Sequence, residues 1–321
     1  MYFGNLPPQR SQRYSVVQRN VIPHFRFMNM TFTKGLVSTI VKNRYKTLVL
    51  LGVNPAYPSY LLSAILLHYI FGVKIIWWGH GTLGNQGRLG EILRLPFYNL
   101  SHKILLYSEI DTTDLFNYGF RNKTRTIGNC NSLDSEYHGD FYNAHSKDLR
   151  IVFVGRITPR KRLQEFISLL PAINALRLKK SQGQIFVDII GHSESNVNKN
   201  QGNVYYHGYM EPARMKKILL KAHLGVCPGA VGLSALHLAW YGLPVIALKN
   251  DIEHGPEINY LKDGLNAFFI KEIGQDYLID LFERVDSLPV GTINFKISCR
   301  DSVLVYSNER VAQNIIESLW D

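Results

Sequence analysis

Cysteine is scarce and ungrouped in this chain of 321 residues. Cys130, Cys227 and Cys299 lie far apart in no metal-ligand spacing. That excludes a disulfide framework and a cysteine-rich zinc site, and it suits a reducing cytosol. Long apolar runs are missing as well. The most apolar stretch, residues 60–73, contains His68 and is followed by Lys74. About fourteen residues is too short for a ~30 Å hydrocarbon layer, so a buried helix is expected there. The first ten residues, MYFGNLPPQR, show no basic region followed by an apolar core, and no signal peptide is read from them. A Gly-x-Ser-x-Gly elbow, a His-Glu-x-x-His pair and a Walker-type phosphate loop are absent, which removes the usual hydrolytic sets. No tandem repeat or low-complexity tract is present.

Acidic residues are missing from the whole start of the chain. None precedes Glu91, whereas ten basic residues do, at positions 10, 13, 19, 26, 34, 42, 44, 46, 74 and 88. Of 36 Lys and Arg against 25 Asp and Glu, the excess therefore sits in the first 90 residues. A one-sided positive field attracts anionic membranes, nucleic acids or phosphorylated ligands. What remains is ordinary globular material: 46% hydrophobic, 12% aromatic and 19% charged residues exclude a disordered chain, a coiled coil and a collagen-like fibre. The length suits two domains.

Short apolar runs predict strands at 46–53, 74–78, 103–107, 125–127, 149–154, 185–190, 204–206, 224–227 and 244–248, and a turn at 263–264 precedes an apolar stretch at 267–270. Helices are expected at 60–71, around 88–100, at 108–118, from 163 onward, at 213–222 and at 234–241. Residues 1–45 read as one or two strands with basic loops. The polar stretch 129–148 has no periodicity and is the linker candidate. Such alternation, occurring twice, means parallel sheets covered by helices on both faces. The domains expected are 1–148 and 149–321.

Ligands of doubly wound sheets bind at the carboxyl ends of strands, so the residues just after each run are the candidates. After 149–154 come Gly155 and Arg156, then Arg160, Lys161 and Arg162 before a helix. A planar guanidinium, a mobile ammonium and a helix start would hold a diphosphate; the competing reading is a solvated basic turn. After 74–78 comes His80 between two glycines, either close to a ligand or satisfied by loop backbone. After 224–227 come Gly229, Gly232, Leu233 and Ser234, opening a helix that carries His237. Backbone N–H groups there suit a phosphate or sugar oxygen, or else form a plain strand-helix connection. Glu257 would accept from sugar hydroxyls or cap a short helix.

Together these pieces resemble the retaining GT-B glycosyltransferases, in particular glycosyltransferase family 4, over residues 45–321. The matching segments are Gly155-Arg156 with Lys161, Gly191, His207-Gly208-Tyr209-Met210, residues 228–245 ending in Gly242-Leu243-Pro244-Val245, Glu257-Ile258, and residues 263–267. His80 and residues 131–134 match in the first half. The resemblance implies a GT-B fold, two Rossmann-like doubly wound domains facing across a cleft, with the last helix packing back on the first. It implies transfer of a sugar, with retention and without a metal, from a nucleotide-sugar to a saccharide or lipid-linked saccharide in bacterial surface polysaccharide synthesis (lipopolysaccharide or capsule). Arg156 and Lys161 would stabilise the diphosphate and His80 would orient the donor sugar. Gly155, Gly208, Tyr209, Gly229, Gly232, Leu233, Ser234, His237 and Glu257 would bind the donor. No cofactor is implied, since the nucleotide-sugar, of uridine or guanosine type, is a substrate.

Two departures stand out. The family carries two glutamates separated by seven residues, where this chain has Gly229 and His237. Its opening strand, Gly-rich loop and helix are not visible here, so the first β-α unit is expected to be lacking or the start incomplete. The rival reading is a degenerate GT-B protein that binds saccharide or nucleotide without transfer; a sugar-nucleotide epimerase and a nucleic-acid binder are further alternatives. The expected location is cytoplasmic, with peripheral attachment to an anionic inner membrane face through basic residues 10–88.

Overall fold

The computed structural model describes residues 24–27, 30–54, 56–81, 92–130, 141, 146–192, 202–251 and 253–320. They fall into two compact units. One holds the described residues up to Ile127 with those from Glu317 on, and the other spans Gly128–Ile316.

In the first unit an antiparallel hairpin, β1 (His24–Phe27) and β2 (Met30–Thr33), precedes helix α1 (Leu36–Lys42). Then follow β3 (Thr47–Leu51), α2 (Pro58–Tyr69), β4 (Lys74–Gly79), α3 (Leu95–Leu100), β5 (Lys103–Leu106), α4 (Glu109–Asn117) and β6 (Thr124–Thr126). Strands β3 to β6 form a parallel sheet in sequence order. Leu48, Leu50, Ile75, Trp77, Ile104 and Leu106 bury one face of it against α1 and α2. Helix α1 was not expected. Its sequence LVSTIVK is rich in β-branched residues and suggests a strand. Yet Leu36 and Ile40, four residues apart, are both buried. That spacing suits one helix face, and packing overrides propensity.

The second unit runs β7 (Leu149–Val154), α5 (Leu163–Lys179), β8 (Ile185–Ile190), β9 (Val204–Gly208), α6 (Pro212–Leu219), β10 (Leu224–Cys227), α7 (Leu233–Trp240), β11 (Val245–Leu248) and β12 (Ala267–Ile270). It closes with α8 (Gln275–Asp286), α9 (Ile293–Asp301) and α10 (Asn308–Trp320), whose end belongs to the first unit. The sheet is parallel, in the order β12-β11-β10-β7-β8-β9. Two separate apolar clusters bury its two faces, one around Phe153, Phe166 and Phe268, the other around Val152, Ala235 and Val245. The alternation read from the sequence is the one observed.

The chain leaves β7 toward β8 and β9, then returns to the other side at β10. Strand order therefore reverses between β7 and β10, and the carboxyl ends there open a crevice. Asn174 of α5 ties that layer to the sheet. Its amide donates to the Ile185 carbonyl at 3.0 Å and accepts from the Ile185 N–H at 2.7 Å. Replacing Asn174 by Ala should cost about 1–3 kcal/mol, because a buried N–H loses its acceptor; denaturant unfolding of the two proteins measures this.

Candidate functional site

The turn after β7 and the loop after β10 meet at the point of reversal. The β7–β8 ladder continues past the strands, with Gly155 N–H donating to the Ile190 carbonyl at 3.0 Å and Ile157 N–H to that of His192 at 2.9 Å. Gly191 (φ 151°) makes this possible, since a Cβ there would lie 1.8 Å from the Gly155 oxygen. Arg156 stands between those two bonds. Its side chain is exposed and makes no hydrogen bond or ion pair with a described residue.

Lys161 closes a short 3-10 turn, Pro159–Lys161. Its ammonium donates to the Ala230 carbonyl, and the Ala230 N–H donates to the Arg160 carbonyl at 2.9 Å. Burial lowers the Lys161 pKa, opposed by Cys227 and Glu257 and assisted by Arg160 and Arg156. One of its three N–H bonds is used by Ala230, which leaves two for a ligand.

Gly229 shows how close these segments come. A Cβ at this position would lie 2.3 Å from the Arg160 carbonyl oxygen and 2.8 Å from the Lys161 carbonyl carbon. No side chain fits there. The lack of a side chain at this position, where the resemblance implied a glutamate, therefore has a physical reason, because the basic turn occupies the space. The loop is also held from its other side. Val231 N–H donates to His254 Nδ1 at 3.1 Å, His254 Nε2 donates to the Leu248 carbonyl at 3.1 Å, and Gly255 N–H donates to the Val231 carbonyl at 2.8 Å. An acceptor at Nδ1 and a donor at Nε2 require a neutral imidazole with its proton on Nε2. Burial lowers the His254 pKa, which favours that form.

The other candidates are distributed around this core. Gly232 is the N-cap of α7, with Leu233 partly exposed and Ser234 Oγ lying 3.7 Å from Cys227 Sγ. His237 lies further along α7, against the Tyr241 ring at 5.2 Å. Its Nε2 is buried without a partner among the described residues, and burial lowers its pKa to about 4. The Gly208 carbonyl, at the end of β9, accepts from Gly191 N–H at 2.8 Å. Tyr209, next in sequence, is 76% exposed. Glu257 is only 3% exposed and accepts from Asn129 Nδ2 at 2.6 Å. Residues 131–134 lie outside the described residues, as does most of the linker candidate.

In the first unit His80 follows β4, exposed, its ring 5.0 Å from that of Tyr107. The adjoining Gly81 is held from two sides. Its carbonyl accepts from Tyr98 OH at 2.9 Å, and its N–H is bonded to the Asp111 carboxylate. Burial raises the Asp111 pKa, while Ser108 Oγ, donating at 2.7 Å, and the nearby His80 lower it. Sequence reasoning missed Asp111, His254 and Asn129. Each is a single polar residue near a strand end with no motif around it; an adjacent glycine, Gly255 or Gly128, was the available signal for His254 and Asn129, and Asp111 had none. A cavity of about 360 Å³ lined by Lys147, Arg177, His223 and Asp286 lies at the opposite, amino-terminal ends of β7, β8 and β10, away from this crevice.

Residues 136–288 match the family described as "Glycosyl transferases group 1". No curated protein matches the chain. Among solved structures it is similar to the lipopolysaccharide outer core galactosyltransferase WaaB in its apo form, with a TM-score of 0.66 and 16% identity over 89% of this chain and 78% of that one. It is similar to HepE of Anabaena in complex with UDP and glucose, with a TM-score of 0.60 and 15% identity over 89% and 81%. It is also similar to TarM of S. aureus in complex with fondaparinux, alpha-GlcNAc-glycerol and UDP, with a TM-score of 0.63 and 17% identity over 91% and 60%. At such identities the likeness establishes the fold class, which is GT-B.

Two glycines and one histidine test the geometry. Gly229→Ala should destabilise the second unit by about 2 kcal/mol or more, since backbone must move. Gly232→Ala, in extended backbone with open space around its Cβ site, should change stability by less than about 0.5 kcal/mol. Denaturant midpoints compare them. His237 titrates near 6.5 when unfolded and near 4 when folded. Between those values the unfolded chain binds more protons, so stability should fall by up to about 3 kcal/mol as pH drops from 6.5 toward 4. His237→Phe should flatten that part of the pH profile.

Proposed function

We propose that this chain is a glycosyltransferase moving a sugar from a nucleotide-sugar donor to a saccharide or lipid-linked saccharide acceptor. The observation that carries the reading is the apposition, at the strand reversal, of the Arg156–Lys161 segment and the 228–234 loop. A guanidinium and an ammonium, the first with no partner and the second with one among the described residues, lie with the start of α7 at one end of one sheet. The group 1 family match over residues 136–288 supports the same class.

In this mechanism negative charge develops on the departing diphosphate as the glycosidic bond to it breaks. Arg156 meets that charge with a planar fork of donors. Lys161, pre-placed by its bond to Ala230, meets it without reorganising. This is electrostatic catalysis, and the proposal includes no metal or cofactor. Exposed Tyr209 would stack on the base, and α7 would present its first N–H groups to phosphate or sugar oxygens. His80 as the group orienting the donor sugar, and retention through same-face attack assisted by the leaving phosphate, rest on the resemblance. So does a role in bacterial surface polysaccharide synthesis. We further propose a cytoplasmic protein attached peripherally to an anionic membrane. No described helix is long and apolar enough to cross one.

One observation favours a second reading. Position 229 has no room for a side chain and the His237 imidazole is neutral, so neither supplies a carboxylate to the donor. A protein that binds nucleotide or saccharide without transfer would tolerate that loss.

Thermal unfolding against nucleoside diphosphates and nucleotide-sugars, together with product analysis, separates the two. A ligand at about 100 times its dissociation constant should add roughly 2.7 kcal/mol. Arg156→Ala/Lys161→Ala should abolish that gain, and Arg156→Ala alone should lower turnover by about 10²-fold or more with the fold intact. Stabilisation without product from any donor and acceptor would establish the non-catalytic reading. No stabilisation by any nucleotide or nucleotide-sugar would remove the transfer reading and leave only a non-catalytic protein that binds saccharide.

A further inference from the structure

The charge of the first unit is sorted along its strands. Four loops lead from helices into β3, β4, β5 and β6, so all four lie at the amino-terminal end of the parallel sheet, opposite His80. They carry exposed Arg44, Lys46, Lys74 and Arg121 and half-buried Lys123, with Lys103 buried at the head of β5. None of these six forms an ion pair with a described residue. Among the described residues up to Ile127, the acids are Glu109, Asp111 and Asp114, all in the first two turns of α4, which starts at the other end of the sheet.

The loops are neighbours in space. Lys74 N–H donates to the Lys46 carbonyl at 2.9 Å, and His102 N–H to that of Ile75 at 2.7 Å. The Lys123 ammonium bonds the Asn99 carbonyl. His102 lies among these cations; its pKa is lowered first by burial, then by Lys74, Lys103 and Lys123.

Large apolar side chains project from the same edge. Helix α2 presents Leu62, Leu66, Tyr69 and Ile70 to solvent at helical spacing, and its lower end emerges among the cations. There Tyr69 is 72%, Ile70 66% and Phe71 46% exposed. Solvated cations alone describe any basic surface. Cations surrounding an exposed aliphatic and aromatic tip combine the two attractions that hold a protein at a lipid interface, headgroup charge and shallow apolar insertion.

We infer that these four loops form the surface by which the protein docks on an anionic membrane. This deepens the attachment proposed above and locates it. Of the basic residues in the first 90, Arg44, Lys46 and Lys74 lie in these loops, at the end of the sheet opposite His80. Arg121 and Lys123, beyond the first 90 residues, join them.

The test is co-sedimentation of the full chain with vesicles of phosphatidylcholine alone or with phosphatidylglycerol added, and with a single-stranded oligonucleotide in a parallel arm. The wild type should bind only the anionic vesicles. Arg44→Gln/Lys46→Gln/Lys74→Gln should lower that partitioning by about a hundredfold. Ile70→Ser/Phe71→Ser should lower it by about tenfold or more. Lys179→Gln/Lys262→Gln/Lys271→Gln, equal in charge but on the second unit, should not change it. All variants replace exposed side chains, and unchanged thermal unfolding verifies their fold. Equal binding by wild type and the loop variants would overturn this surface while leaving membrane attachment standing. No binding by the wild type would overturn both. Oligonucleotide binding as tight as vesicle binding, unaffected by Ile70→Ser/Phe71→Ser, would mean a nucleic-acid surface and overturn the inference.

Discussion

The backbone of Gly229 lies against the carbonyls of Arg160 and Lys161, and the ligand-facing end of the second sheet is built around that approach. Once the two segments touch, the Ala230 N–H finds the Arg160 carbonyl and the Lys161 ammonium finds the Ala230 carbonyl. The ammonium is thereby held at the mouth of the strand reversal instead of swinging in solvent. His254 and Gly255 hold Val231 from the opposite side, so the loop before α7 is fixed on both flanks. Rigidity of this kind is what electrostatic stabilisation requires, since donors that must reorganise during a reaction lose much of their effect.

The strands were legible because parallel sheets covered on both faces need continuous apolar runs, and runs such as LRIVFV and IFVDII can hardly be anything else. Helix α1 was not, because its β-branched residues point one way and the burial of Leu36 and Ile40 another. The candidate site was legible where topology alone dictates it: residues following parallel strands face the crevice, so Arg156, Lys161 and the 228–234 loop could be named from position. What could not be read was the packing between segments distant in sequence. Nothing around Gly229 announces that Arg160 and Lys161 fill the space above it. Nothing around His254 announces that it receives Val231. Glu257, read as a sugar acceptor or a cap, does lie in the first turn of the short helix Pro256–Tyr260, but nothing in the sequence announces that its buried carboxylate accepts from Asn129.

The two ends of the first sheet are chemically different environments. The carboxyl end holds His80, Tyr107 and an Asp111 carboxylate that organises the neighbouring glycine amide. The amino end holds cations that form no ion pair among the described residues, together with exposed apolar groups. A total charge of +11 conceals this. A cluster of exposed cations at one edge turns a protein toward an oppositely charged surface as it approaches, and so constrains which face remains open to solvent.

The crowding at Gly229 also bears on how such a chain can change by mutation. A substitution at this position meets the backbone of residues about seventy positions earlier, not a side chain that can rotate away. Recovering an acidic group there would demand a simultaneous retreat of the Arg160–Lys161 turn, which itself carries the proposed diphosphate contact. Neither change alone leaves an intact site. An acidic group at position 229 is therefore closed to single steps, whereas Gly232, with open space around its Cβ site, and exposed Tyr209 can vary without moving backbone.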